Sequence, residues 1–196
     1  MKIGIDIDGV LVDMAGFHLD YGSKYFLNNY QTGISNPNGY EIMDIFAVSE
    51  EKDNEFWAAA IYDYGVAYKA RLFASEIIKK LKAEGHEIII MTARGGLNQP
   101  CTLEHAKMHE LIKNWLREND IIYDQLYFTE EDKASMCQKL GINVMIEDKV
   151  KNVTEISELI PVICFNAPYN NHLSGHNIYR AYSWYDVYSK IKHLIK

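Results

Sequence analysis

The sequence predicts an α/β fold, a parallel sheet flanked by helices on both faces, with a small helical insertion near its start. Three observations predict it. Short apolar runs alternate with segments of helical periodicity through most of the chain beyond residue 72, the pattern of strands joined by crossover helices. Three of those runs stop on groups able to do chemistry: Asp6 and Asp8, then Thr92, then Glu147 with Asp148. Ligands of open parallel sheets sit beyond the carboxyl ends of the strands. Residues 14–72 break the alternation and hold half of the chain's aromatic side chains.

Residues 2–6 form a short apolar run ending on acids, which reads as a buried strand meeting a site. Residues 15–30 and 51–62 look helical around a turn-rich centre, Asn36-Pro37-Asn38-Gly39. Residues 75–84 place Ile77, Ile78 and Leu81 on one helical face, and Gly85 is a helix stop. The β-branched run EIIIM at 87–91 is a strand leading into Thr92. Residues 103–119 repeat the helical pattern, with Leu111, Ile112, Trp115 and Leu116 inward. Then come a strand at 125–128, a helix at 132–140 closed by Gly141, and a strand at 143–146 ending on acids. A helix at 152–159, a strand at 161–165 and a helix at 184–195 complete the chain. The division is a core of residues 1–13 and 73–196 and an insertion, residues 14–72, covering the site. No internal repeat or low-complexity stretch is visible.

The 196 residues suit one domain, and 48% hydrophobic content supplies a core. A net charge of −7 argues against a nucleic-acid polymer as partner, because binding the phosphate backbone needs a basic surface. It leaves room for a small phosphorylated metabolite, which local donors and a metal can hold. Cys101, Cys137 and Cys164 are odd in number and lack a C-x-x-C pair, which fits a reduced cytoplasm. The acids of MKIGIDIDGV interrupt any signal peptide, and no apolar run approaches the roughly 20 residues that span a membrane. The expectation is a protein with no membrane partner; a homodimer is left open.

Asp6 and Asp8 point the same way from an extended strand end. Two such carboxylates repel unless a cation or a shared proton relieves them. Phosphate-ester hydrolysis uses both states: one ionised acid as nucleophile, the other as acid and then base. Gly9 would let the backbone approach a phosphate. A calcium loop is excluded, because Gly9 falls at position four and not six; an ordinary acidic turn is the alternative. Thr92 offers a hydroxyl, and the following Ala93-Arg94-Gly95-Gly96 offers backbone N–H groups, together an anion site; a plain loop is the alternative. Arg94 is either a phosphate contact or a solvated charge. Lys133 stands at a helix start, where a cation is slightly unfavourable unless a phosphate and the acids offset it; a surface lysine is the alternative. Glu147 and Asp148 suit Mg²⁺, with one of them the direct ligand, because successive strand residues point opposite ways. Asn152 holds a metal-bound water or caps a helix. His105 and His109 are four apart without an H-E-x-x-H pattern, and read as an exposed helix face.

Together Asp6-x-Asp8-Gly9, Thr92, Lys133 and Glu147-Asp148 resemble, in order, the four motifs of the haloacid dehalogenase (HAD) superfamily. The resemblance covers residues 1–13 and 73–165, and the insertion matches that superfamily's cap. It implies a Rossmann-like core, Mg²⁺ and an aspartyl-phosphate intermediate. It makes Asp6 nucleophile and metal ligand, and Asp8 acid/base with its carbonyl on the metal. Thr92, Ala93 and Lys133 would hold phosphate and Asp148 would complete the metal site, with Glu147 and Asn152 around it. Within the superfamily the chain is similar to the 5′(3′)-deoxyribonucleotidases, through DIDGVLVD at 6–13, EDK at 131–133, IEDK at 146–149, NHL at 171–173, Arg180 and Ser183-Trp184. It departs from them where they carry Thr-Ser-Pro and this chain has Thr92-Ala93-Arg94. It departs again where they carry a base-stacking aromatic and this chain has Met14, with Phe17 three residues on. Phe17, His18 and Arg94 are therefore the expected substrate contacts, and a nucleoside 5′-monophosphate the expected substrate. The TAR sequence and WLRENDIIYDQLYF also resemble HAD phosphatases of surface-polysaccharide loci, which implies a sugar or polyol phosphate instead. A third reading is a non-catalytic phosphate-binding protein, against which the intact acids argue.

Overall fold

The computed structural model describes residues 1–94, 105–129 and 132–195. Gly95, Gly96, Cys101 and Glu131, and the side chain of His105, lie outside the described residues. In chain order the elements are β1 (Lys2–Ile5), α1 (Met14–Tyr30), α2 (Ile42–Phe46), α3 (Glu50–Tyr62), α4 (Ala74–Ala83) and β2 (Glu87–Thr92). There follow α5 (His105–Glu118), β3 (Gln125–Phe128), α6 (Lys133–Leu140) and β4 (Val144–Glu147). The chain closes with α7 (Val150–Ser157), β5 (Val162–Phe165), β6 (Ile178–Ala181) and α8 (Trp184–Leu194). A π-helical turn, Asp63–Ala67, continues α3.

The sheet is parallel throughout, in the order β3-β2-β1-β4-β5-β6. The chain builds outward from β1 to β3, then crosses back to lay β4 on the other side of β1. The strand order reverses there, which opens a crevice at the carboxyl ends of β1 and β4. Both faces are buried, so the strands read as continuous apolar runs. Ile88 and Ile90 join the core on one face, and Ile89 and Met91 join the smaller core on the other.

α1, α2 and α3 pack around aromatic side chains. Phe17, Phe26, Phe46 and Phe56 are essentially fully buried and share one apolar cluster with the larger sheet face. Phe26 stacks on Phe46 at 4.8 Å between ring centres, and Phe56 lies 5.9 Å from Phe26. The expected elements are present with end shifts, and two were not foreseen, α2 and β6. β6 is a four-residue edge strand carrying Arg180, too short and too polar to show a strand pattern. α7 starts at Val150, so Asn152 lies inside the helix and does not cap it. Among the described residues no helix is long and apolar enough to cross a membrane.

Candidate active site

β1 ends at Ile5, and Asp6 continues its ladder with an N–H to the Ile146 carbonyl at 3.1 Å. The chain then turns tightly: Val10, Leu11 and Val12 all direct their N–H groups at the Ile7 carbonyl. Gly9 makes the turn at φ 76°, a left-handed conformation natural to glycine. A Cβ there would lie 1.9 Å from Asp148 Oδ2. The close approach foreseen for Gly9 is therefore to a carboxylate of the neighbouring strand end. Asp13 closes the turn by accepting the Gly16 N–H at the start of α1.

Asp6, Glu147 and Asp148 each bring one oxygen within 4.8 Å of the other two, and all three are buried. Strand alternation does not separate Glu147 from Asp148, because β4 ends at Glu147 and Asp148 lies beyond it. Lys133, 5% exposed, sits between Asp6 at 2.9 Å and Glu147 at 2.7 Å. It starts α6, whose N-cap Asp132 accepts the N–H groups of Ala134 and Ser135. Glu147 also accepts the backbone N–H groups of Asp148 and Lys149, at 3.0 and 3.1 Å, and the Asn152 amide at 3.2 Å. Asn152 thus holds Glu147. Asp148 accepts the Tyr169 hydroxyl, while Asn170 donates to the Asp148 carbonyl at 2.7 Å. Arg180 braces Asn170 through its side-chain oxygen at 2.9 Å and its carbonyl at 2.8 Å.

The cluster sets one ammonium against three buried carboxylates, and its electrostatics follow. Burial would raise Glu147, but Lys133 overcomes it and holds the acid below the ordinary range. Burial, with Glu147 and Asp8 adding to it, pushes Asp6 up to about 8 despite Lys133. Asp148 is pushed well above the carboxylate range by burial and then by Glu147 and Asp6. A buried group of acids with surplus negative charge and oxygen donors alone has the chemistry of a site for a hard divalent cation.

Asp8 belongs to a second constellation. Arg94, 2% exposed, pairs with it through Nη2 and through Nε, at 3.1 Å from Oδ1. Tyr64, from the π-helical turn, donates its hydroxyl to the same carboxylate, and the Arg94 guanidinium lies 4.3 Å over its ring. Burial would raise Asp8, but Arg94 and then Tyr64 keep it ionised below the usual range. Arg94 is thus not a solvated charge; its low exposure leaves Asp8 as its counter-ion.

Thr92 is fully buried at the end of β2, and its hydroxyl accepts the Arg94 N–H at 3.0 Å. One backbone donor expected to face an anion is therefore already engaged, while Ala93 between them is exposed. Phe17 does not face the site. It is fully buried, 4.3 Å from Tyr21 and 4.7 Å from Tyr64, and Tyr64 stands between it and Asp8. Its place on the inner face of α1 puts it into the apolar cluster. His18 is 2% exposed, edge-on to Trp57. Burial holds its imidazole down at about 4, against the pull of Asp8 and of the Tyr40 backbone. His109 stacks on Phe128 at 3.6 Å, and Cys137 and Cys164 are buried free thiols.

The profile of the family described as 5′ nucleotidase, deoxy (pyrimidine), cytosolic type C protein matches residues 1–195. The chain belongs to this family. It is a HAD-type phosphatase with the Rossmann-like core of that superfamily. A Bacillus cereus protein named "Putative nucleotidase" is 30% identical, over 98% of this chain and 98% of that protein. A Chlorobaculum tepidum protein named "Putative 5'(3')-deoxyribonucleotidase" is 29% identical, over 97% of this chain and 89% of its own. The fold also matches a haloacid dehalogenase-like protein from Agrobacterium tumefaciens with a TM-score of 0.67, at 14% identity, covering 100% of this chain and 99% of that one.

Sequence reasoning missed the tyrosines of this nucleotidase-family site. Tyr64 lies 56 residues from Asp8, so no local pattern links them. Tyr169 and Asn170 follow β5 directly. Their position at the carboxyl end of a strand was the signal that could have found them.

Proposed function

We propose that the chain hydrolyses a small phosphomonoester through an aspartyl-phosphate intermediate, with Mg²⁺ as cofactor and a nucleoside 5′-monophosphate as substrate. The observation that carries the reading is the position of Asp6. It stands at the crevice between β1 and β4, bracketed by Lys133 and by two further buried acids. An acid so placed attacks phosphorus as the ionised carboxylate, forming the acyl phosphate that water then cleaves. Lys133 keeps a positive charge beside the nucleophile; with Thr92 and the Ala93 N–H it would hold the arriving phosphoryl oxygens. Asp6, Asp148 and the Asp8 carbonyl would hold Mg²⁺, with Glu147 and Asn152 behind them. The ion, when bound, compensates the charge of the carboxylates and the phosphate.

Asp8 moves the protons. Ionised by Arg94, it is ready to take a proton from the attacking water in the second half-reaction. In the first half it must carry a proton to the leaving oxygen, which requires the guanidinium to withdraw. A bound phosphate dianion competes for Arg94 and so releases Asp8.

The family and the names of its relatives favour a nucleotide. A sugar phosphate is favoured by one observation: Phe17, Phe26, Phe46 and Phe56 are consumed in packing, which leaves fewer rings for a base. Phosphate release across nucleoside 5′-monophosphates and pentose and hexose phosphates decides between them. Asp6→Asn should abolish turnover with the fold intact; retention of more than a few per cent would overturn covalent catalysis through Asp6.

A further inference from the structure

A cavity of about 420 Å³ lies outside the acid cluster, where residues 68–72 return to the core beside Asp13. Phe165 at the end of β5, and Tyr182 and Trp184 where the chain enters α8, form its other wall. None of Asp6, Asp8, Lys133, Glu147 and Asp148 lines it. Its polar groups include donors that lack acceptors. Arg71 directs Nη2 to the Gly9 carbonyl at 3.2 Å and to Asp13 Oδ1 at 3.0 Å. Those bonds fix the guanidinium and leave its other edge free: Nε is buried without a partner, and Nη1 has none among the described residues. The indole N–H of Trp184, a residue 1% exposed, is likewise unpaired. Buried polar groups are almost always paired, and those that are not call for an explanation.

Charge points the same way. Lys69 is exposed on the rim and has no ion-pair partner among the described residues. Two cations against one acid, Asp13, give this cavity a positive surplus on a chain of net charge −7. The remaining wall is apolar. Phe165 covers the Arg71 guanidinium at 4.6 Å from its ring centre, while Leu72 and Tyr182 stand 76% and 68% exposed. A fixed guanidinium edge suits a carboxylate or a phosphate, and an exposed tyrosine face suits a flat ring. We propose that this cavity is a second binding site, for a small carboxylate or phosphate anion carried on an aromatic ring. Arg71 and Lys69 hold the anion, and Tyr182 packs on the ring. The site stands apart from the phosphomonoesterase reading and from the choice of substrate.

The test is titration of the natural protein in EDTA, followed by heteronuclear NMR of its indole N–H signals. Trp184→Phe and Trp57→Phe identify two of them. Trp184 reports this cavity, and Trp57, 5.6 Å from the ring of Tyr64, reports the acid site. The probes are adenosine 3′,5′-cyclic monophosphate and phenylacetate, each an anion on a ring and neither a phosphomonoester. Adenosine and inorganic phosphate supply the ring and the anion alone. At least one probe should shift the Trp184 signal saturably, and the one that does names the anion. Adenosine and phosphate should each bind at least about 10-fold more weakly, having lost the charge-assisted contacts or the stacking. Lys69→Ala with Tyr182→Ala changes two exposed side chains, so the melting temperature should hold while probe binding weakens about 10- to 100-fold. No Trp184 shift with either probe, a shift confined to Trp57, adenosine or phosphate binding as well as the probe, or affinity unchanged in the double variant would each overturn the proposal. Because the readout is binding without metal, a failure here leaves the catalytic reading of the acid cluster untouched, and loss of that reading leaves this site standing.

Discussion

Replacing Lys133 with methionine tests the electrostatic design of the site most directly. The side chain has similar length and bulk, so packing is nearly kept while one charge disappears. Lys133 lies 2.9 Å from Asp6 and 2.7 Å from Glu147, and none of the three side chains is more than 8% exposed. Removing one member of a buried ion-pair cluster strands the others and costs about 3–5 kcal/mol. For a chain of this size each kcal/mol shifts the melting temperature by about 2–4 °C, so a fall of roughly 10 °C is expected. The sign of the pH dependence follows from the same groups. Lys133 is what lowers both carboxylates; without it Asp6, already raised, rises further, and burial is left unopposed to raise Glu147 as well. Such an acid loses stability as pH rises. The deficit should therefore be small near pH 5 and largest above pH 7. The assay is urea denaturation of both proteins in EDTA at pH 5, 7 and 8. A deficit under about 1 kcal/mol, or one independent of pH, would show that the three side chains do not form a coupled buried cluster.

Three further outcomes follow from the same physics. Mg²⁺ should raise the melting temperature more at pH 8 than at pH 6, because Asp6 and Asp148, both pushed upward, must ionise to hold it; Asp148→Ala should remove the shift, and no shift at either pH would exclude the acid cluster as a metal site. Phe17→Ala should lower stability by about 3–5 kcal/mol, as for a fully buried ring; an unchanged melting temperature with a raised KM would instead put Phe17 against substrate. His18, held at about 4 when folded and near 6.5 when unfolded, binds its proton more readily in the unfolded chain. Stability is therefore lost as pH falls, by about 2 kcal/mol between pH 7 and 5; denaturation curves should show His18→Leu with a flatter profile, and identical profiles would contradict the burial of a neutral ring.

Strand ends were legible because apolar runs and polar termini are adjacent in sequence. Asp6, Thr92 and Asp148 could be placed from the runs before them, and the reversal of strand order brings two of those ends together. Contacts across the fold were not legible. The pairing of Arg94 with Asp8 spans 86 residues, and an arginine after a strand is equally compatible with a phosphate or with solvent. Tyr64 reaches Asp8 from a π-helical turn, which hydrophobic periodicity does not mark. The aromatic excess of residues 14–72 is plain in the sequence, but composition does not say which rings face inward. Phe17 went to the apolar cluster because its place on α1 turns it there, and its polar neighbour His18 is buried edge-on to Trp57.

The positions of the three tryptophans give the molecule an optical property. Trp115 and Trp184 are buried in α5 and α8, against the sheet. Trp57 is half-buried on α3, touching His18 at 5.5 Å and Tyr64 at 5.6 Å between ring centres. Two indoles therefore report on the sheet, and the third looks onto the side chains that meet Asp8. A Trp115→Phe, Trp184→Phe protein would carry one indole, beside the Tyr64 that meets Asp8, so that its emission colour and lifetime, excited to the red of the tyrosines, read the hydration of that contact without any added label.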